Sequence, residues 1–163
     1  MENPTITQAA PVTHDTFVIE RTYPVSPNRV FATFADPAKK RRWFADTDEA
    51  NTEQHQMDFR VGGKERTERR MGKDTPFPGA ALVNDTIYYD IVPDTRIVFG
   101  YTMTLADHRM SASLATVELV PDGKNTKLIF TDQGAYFENS DGPQRRQHGW
   151  SVLLDKIATE LSR

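Results

Sequence analysis

Asp132 closes an alternating run, Leu128-x-Phe130-x-Asp132, in a segment of strand character. Alternate residues of a strand share a face, so the face that turns two apolar side chains inward turns a carboxylate inward with them. A buried carboxylate needs a partner, or its pKa rises. That makes Asp132 the group best suited to acid–base work, with an ion pair at a cavity rim as the structural alternative. Arg66, Arg69 and His148 are the available partners. Other chemistry is thin. His14, His55, His108 and His148 are scattered and make no His-Glu-x-x-His spacing, so no metal is expected. Gly62-Gly63-Lys64 lacks the frame of a phosphate loop and reads as a turn or bulge at a strand entry. No Gly-x-Ser-x-Gly elbow supports a serine nucleophile. The chain has no cysteine, which excludes disulfides and thiolate chemistry and suits a reducing cytoplasm. No cofactor is expected.

Lys39-Lys40-Arg41-Arg42 stands beside Trp43. Four consecutive residues spread over all faces of a helix and build no single basic patch. The expected reading is a solvated helix end, its charge near the C-terminal dipole. The net charge of −3 gives no field toward nucleic acid or anionic membranes. The longest apolar-looking stretch, 97–106, is too short to span a bilayer. Met1 to His14 lacks the basic start and apolar run of a signal peptide.

The elements that must position these groups follow from periodicity. The 163 residues suffice for one domain: a loose tail over 1–14 and a single domain over 15–163. Phe17, Ile19 and Tyr23 share one face of a first strand, interrupted by Arg21. Ser26-Pro27 and Asp36-Pro37 are successive helix starts, cap followed by proline. Val30, Phe31 and Phe34 form an apolar face on the first of the two helices, and the second ends near Trp43-Phe44. Six strands are expected over 54–60, 63–71, 82–92, 95–105, 109–120 and 125–133. Pro93 marks one turn, and Asp122-Gly123 marks a hairpin. Tight turns between neighbours argue for an antiparallel sheet. Residues 72–81 and 134–142 read as loops. A final helix starts near Pro143, its stripe made by Trp150, Leu154, Ile157 and Leu161 and widened by Leu153 and Ala158, with Glu160 on the polar face. Gly149 inside it implies a close approach or a bend.

The run Pro24-x-Ser26-Pro27-x-x-Val30-Phe31, then Asp36-Pro37 and Arg42-Trp43-Phe44, resembles the family named for activators of the 90-kilodalton heat-shock protein ATPase. That family lies in the START-like (SRPBCC) superfamily, which includes the birch-pollen allergen. Phe59-Arg60-Val61-Gly62-Gly63, the Asp122-Gly123 hairpin, and Gly149-Trp150 with Leu153-Leu154 add to the match, which covers about 15–161. The resemblance implies an α+β helix-grip fold, an antiparallel sheet curled around a long C-terminal helix with a cavity between. It also implies that Ser111, Ser113, Ala115, Val117 and Leu119 face inward. Their small end, Ser111 to Ala115, is then the roomy part of the cavity unless Trp150, Tyr101 or Met103 fills it.

The expected cavity is lined by Tyr101, Met103, Ser111, Ser113, Ala115, Trp150, Leu153 and Leu154, with Phe59 beside them. Asp132 and Arg66 or another arginine stand at its polar end, and Tyr136 and Phe137 lie in a gating loop. Trp43 is expected as core first and pocket wall second. Charge on both faces of 63–71 points to a partly polar, anionic ligand. Three functions follow from the resemblance: a cytoplasmic binding protein for a small hydrophobic or amphipathic molecule, a cyclase or hydrolase using Asp132 or His148 in the same cavity, and a co-chaperone of a heat-shock ATPase. A homodimer is left open; nucleic acid and stable membrane association are not expected.

Overall fold

The computed structural model describes residues 11–46 and 50–163. Most of the expected tail lies outside the described residues; its end, Thr13 and His14, already belongs to the first strand, β1 (Thr13–Tyr23). The first helix, α1 (Pro27–Ala35), follows Ser26, whose hydroxyl bonds Asn28 rather than the helix backbone. At α2 (Pro37–Lys40) the cap is complete: Asp36 Oδ1 accepts from the amides of Ala38 and Lys39 at 2.9 and 3.3 Å. The chain then widens into one π-helical turn over Arg41–Ala45.

Six more strands follow: β2 (Ala50–Met57), β3 (Lys64–Met71), β4 (Ala81–Val92), β5 (Arg96–Leu105), β6 (His108–Asp122) and β7 (Asn125–Tyr136). They form one antiparallel sheet in the order β1-β7-β6-β5-β4-β3-β2. Bulges between Thr52 and Gln54, between Tyr88 and Asp90, and after Met103 bend it. The long helix α3 (Pro143–Leu161) lies on the buried face of the sheet, with Trp150, Leu154 and Ile157 inward as their spacing requires. This is the helix-grip arrangement.

The hairpins differ in detail from their sequence signals. Between β6 and β7, Asp122 pairs with Asn125 and the positive φ falls on Gly123 alone. Between β5 and β6 the two-residue turn is Ala106-Asp107, at φ 47° and 69°. That is the left-handed region at both positions, with no glycine to announce it. β7 runs to Tyr136, so the expected 134–142 loop is shorter at its start.

The core is aromatic. Trp150 sits with its ring centre 4.4 Å from Phe130 and 5.9 Å from Phe44 and Tyr101. Trp43 is sealed at 1% exposure, and its indole N–H donates to Thr33 O at 2.7 Å. Two readings of α3 are corrected. Ala158 is exposed, and Glu160 is buried, accepting from Arg42 Nε and Nη2 at 2.9 and 2.5 Å.

Candidate functional site

Asp132 is fully buried on β7, as its alternation dictates. Its Oδ2 accepts the Tyr101 hydroxyl at 2.5 Å. That hydroxyl in turn accepts from Trp150 Nε1 at 3.0 Å and Arg146 Nη1 at 3.2 Å. Arg146 also donates to Ser111 Oγ at 2.8 Å and makes a two-point contact with Asp141 at 2.8 and 2.9 Å. Burial raises the Asp132 pKa, opposed by the Tyr101 hydrogen bond and by Arg146. The Tyr101 phenol is pushed up by burial and then by Asp132. Asp132 Oδ1, Ser113 Oγ and Tyr136 OH are buried without a partner among the described residues.

The expected partners of Asp132 do not reach it. Arg66 points to the opposite face of the sheet and pairs with Asp85 at 3.1 Å. β3 instead turns Glu65, Thr67 and Arg69 inward. His148 is exposed. Arg146, absent from the sequence-based set, is the cation of this site. It stands one helical turn before Trp150, so continuing the Trp150–Leu154 stripe backward lands on it.

A cleft of about 650 Å3 opens between α3 and strands β3 to β5. Tyr101, Met103, Trp150 and Leu153 line it, as expected, joined by Phe44, Leu82 and Asn84, which were not. Four charged or ionisable groups stand around it, Arg69, Arg145, His148 and Lys156, besides the paired Arg146 and Asp141. Gly149 faces it with nothing within 4 Å of the position a Cβ would take, which corrects the expected close approach.

The other expected lining residues lie elsewhere. Ser111 and Ala115 are fully buried, Ser111 beneath Arg146, so that part of β6 is filled; Ser113, 8% exposed, borders a separate pocket of about 630 Å3 with Tyr101, Thr86 and Arg66. Tyr136 is no gate: it is a buried strand residue folded over Gly134, where a Cβ would lie 2.8 Å from its ring. Phe137 is half-buried beyond the strand, its amide donating to Met110 O at 2.8 Å. Phe59 packs edge-on against Phe31 and Tyr88, away from the cleft. Leu154 is core, and its carbonyl accepts the Tyr23 hydroxyl at 2.7 Å. Trp43 is core behind Phe44, which forms the wall in its place.

A second buried cluster supports that wall. Lys40, expected as solvated, is 4% exposed, with its Nζ 3.0 Å from Glu65 Oε1 and 4.7 Å from the Phe44 ring centre. His55 Nε2 lies 2.8 Å from Glu65 Oε2, and the Tyr88 hydroxyl donates to Glu65 Oε1. Burial alone would raise the Glu65 pKa. Lys40 and the three hydrogen bonds outweigh it and hold the carboxyl at about 2. No group of His, Asp or Glu able to hold a metal occurs among the described residues, and no described helix is long and apolar enough to cross a membrane.

Residues 24–162 match the family model described as Activator of Hsp90 ATPase homolog 1-like protein. No curated protein matches the sequence. Among solved structures, a protein from Rhizobium loti shares 46% identity over 93% of this chain and 99% of its own, with a TM-score of 0.81. An uncharacterized protein from Rhizobium leguminosarum shares 35% identity over 94% and 97%, with a TM-score of 0.87. An AHSA1-like protein from Aeromonas hydrophila, at 20% identity over 91% and 92% and a TM-score of 0.65, shares the fold.

Proposed function

The chain belongs to the family of activator of Hsp90 ATPase homolog 1-like proteins, and from that premise we propose that it is a small-molecule-binding protein whose ligand, amphipathic and anionic, occupies the cleft between α3 and β3 to β5. The observation that carries this reading is the pairing of an apolar wall with a cationic surround. Phe44, Leu82, Met103, Trp150 and Leu153 offer contact to a greasy body, and Arg69, Arg145 and Lys156 offer charge at its edges. The volume falls in the range of about 300–1,000 Å3 usual for small-molecule sites. Gly149 supports the reading further. A glycine in a helix interior costs about 1 kcal/mol against alanine, and here nothing but the open cleft makes use of the missing side chain.

The cyclase or hydrolase alternative receives less support. Asp132 and Tyr101 meet, but the Tyr101 hydroxyl already donates once and accepts twice, which fills its capacity. His148 and Arg66 stand apart from both. The co-chaperone alternative rests on the family's name. The described outer face of the sheet carries cross-strand ion pairs, Arg66–Asp85 and Lys127–Glu20 among them, and no constellation that selects an ATPase.

The test is native mass spectrometry of the protein as purified, beside titration with 1-anilinonaphthalene-8-sulfonate, an apolar anion. The wild type is expected to carry a retained small molecule or to bind the probe. Gly149→Phe, whose Cβ would meet nothing within 4 Å and whose ring would compete for the cleft, is expected to do neither. Bare wild-type spectra together with absent probe binding would refute the reading.

A further inference from the structure

β3 places two polar groups on its inward face whose hydrogen-bonding capacity the described residues do not fill. Arg69 donates through Nη2 to Phe44 O at 2.9 Å, and its guanidinium lies 5.5 Å from the Phe44 ring centre. Its Nε is buried without an acceptor among the described residues, and no described carboxylate makes an ion pair with it. Two residues earlier, Thr67 is 1% exposed, and its Oγ1 is buried without a partner. Across the β3–β4 ladder, Asn84 stands opposite Thr67 and lines the cleft with Arg69. Asn84 Oδ1 accepts from Thr86 Oγ1 at 3.3 Å, which orients the amide and leaves its nitrogen as a donor.

Buried polar groups are nearly always paired. Here the Arg69 guanidinium and the Asn84 amide nitrogen line the cleft, both as donors, and the buried Thr67 hydroxyl lies behind them, opposite Asn84 in the ladder. Their complement is a group that only accepts and carries negative charge. Asp46 and Glu65 act on Arg69 from beyond ion-pair distance, so one guanidinium with a neutral amide donor balances at most a single charge, whereas a phosphate monoester brings nearly two. We propose that Arg69 and Asn84 form a carboxylate seat, so that the ligand of the cleft is a monocarboxylic acid bound head-first at β3. Its apolar body then runs past Met103 toward Trp150 and Leu153.

This inference rests on the ligand-binding reading of the cleft and can fail separately from it. Isothermal titration calorimetry with decanoate and with decanol compares heads on one tail. The wild type is expected to bind decanoate about ten-fold or more tighter than decanol, as a charged hydrogen-bonding head implies. Arg69→Gln is expected to abolish that preference, and Arg66→Gln, on the opposite face of the sheet, to preserve it. Asn84→Ala guards against an unfolded Arg69 variant. Its side chain bonds only Thr86 among the described residues, so the melting temperature should hold while decanoate affinity falls several-fold. Equal binding of acid and alcohol by the wild type, or a preference that survives both Arg69→Gln and Asn84→Ala, would overturn the seat and leave the cleft reading standing. Binding of neither compound would overturn both.

Discussion

The Glu65–Lys40 pair allows the most exact test of how this interior is held together. The perturbation is a double-mutant cycle of Glu65→Gln, Lys40→Met and the two combined. Both side chains are almost fully enclosed, at 2% and 5% exposure, so the charges are compensated by each other and not by water. Holding the Glu65 carboxyl at about 2 rather than 4.5 corresponds to about 3 kcal/mol of stability at neutral pH, at 1.36 kcal/mol per factor of ten. The sign follows from the lowered value. The unfolded chain takes up the proton first, so this contribution is whole above about pH 5, declines as the pH drops from about 4.5 toward 2, and is gone below. Glu65→Gln leaves the Lys40 ammonium buried and unpaired and is expected to cost about 3–5 kcal/mol. The combined variant removes both charges, keeps an amide for Tyr88 and His55 to bond, and is expected to recover most of that loss. Urea unfolding at pH 7 and across pH 2–6 reads both effects. Additivity of the two single changes within about 0.5 kcal/mol would refute the coupling. So would a wild type whose stability falls no more steeply with acid than that of the combined variant.

Three further outcomes are expected. Asp132→Asn removes a carboxylate whose pKa burial has raised and offers an amide N–H near the unpartnered Ser113 and Tyr136 oxygens. It should be more stable than the wild type at pH 8 in thermal melts, with the advantage shrinking toward acid as Asp132 regains its proton; equal melting at pH 8 would count against a costly buried charge. Gly149→Ala should gain up to about 1 kcal/mol in urea unfolding, because nothing obstructs the added methyl and alanine favours the helix; a loss would mean that the site is tighter than it is drawn. Replacing the Ala106-Asp107 turn by Asn-Gly should stabilise by about 1 kcal/mol, since both positions are left-handed and alanine there is strained; no gain would place the strain elsewhere.

The strands and α3 were legible in the sequence because apolar alternation and a helical stripe leave little choice of face. The Leu128–Phe130–Asp132 face of β7 follows from period two alone, whereas on β6 period two gives two sets and the family resemblance selects the inward one. β3 was not legible, because both of its faces carry charge and no hydrophobic bias selects one. The choice is made by Lys40, which reaches Glu65 from α2. The basic run 39–42 contained the clue: four residues spread around a helix cannot all face water, and the one that turns in is Lys40. Ser111 was misread as space because a long side chain from another element, Arg146, takes it up. Arg146 was reachable by extending the α3 stripe through a charged position, a step that hydrophobic patterning discourages. The Ala106-Asp107 turn gave no signal, having neither glycine nor asparagine.

The pairing of β1 with β7 has a consequence for synthesis of the chain. Tyr23 meets Thr126 and Thr13 meets Tyr136, so the first strand finds its neighbour only when the seventh has been made. At roughly 5–20 residues per second, a ribosome takes on the order of 5–20 seconds to cover that gap. Throughout it Phe17, Ile19 and Tyr23, all buried in the finished protein, have no sheet to lie against. The six-strand meander from β2 to β7 needs only sequential hairpins and can assemble meanwhile. β1 and α3 must then be added to it from opposite ends of the chain. The hydrogen bonds of Arg21 to Asp155 and Ser151 and of Tyr23 to the Leu154 carbonyl therefore form among the last, joining the first strand to the last helix.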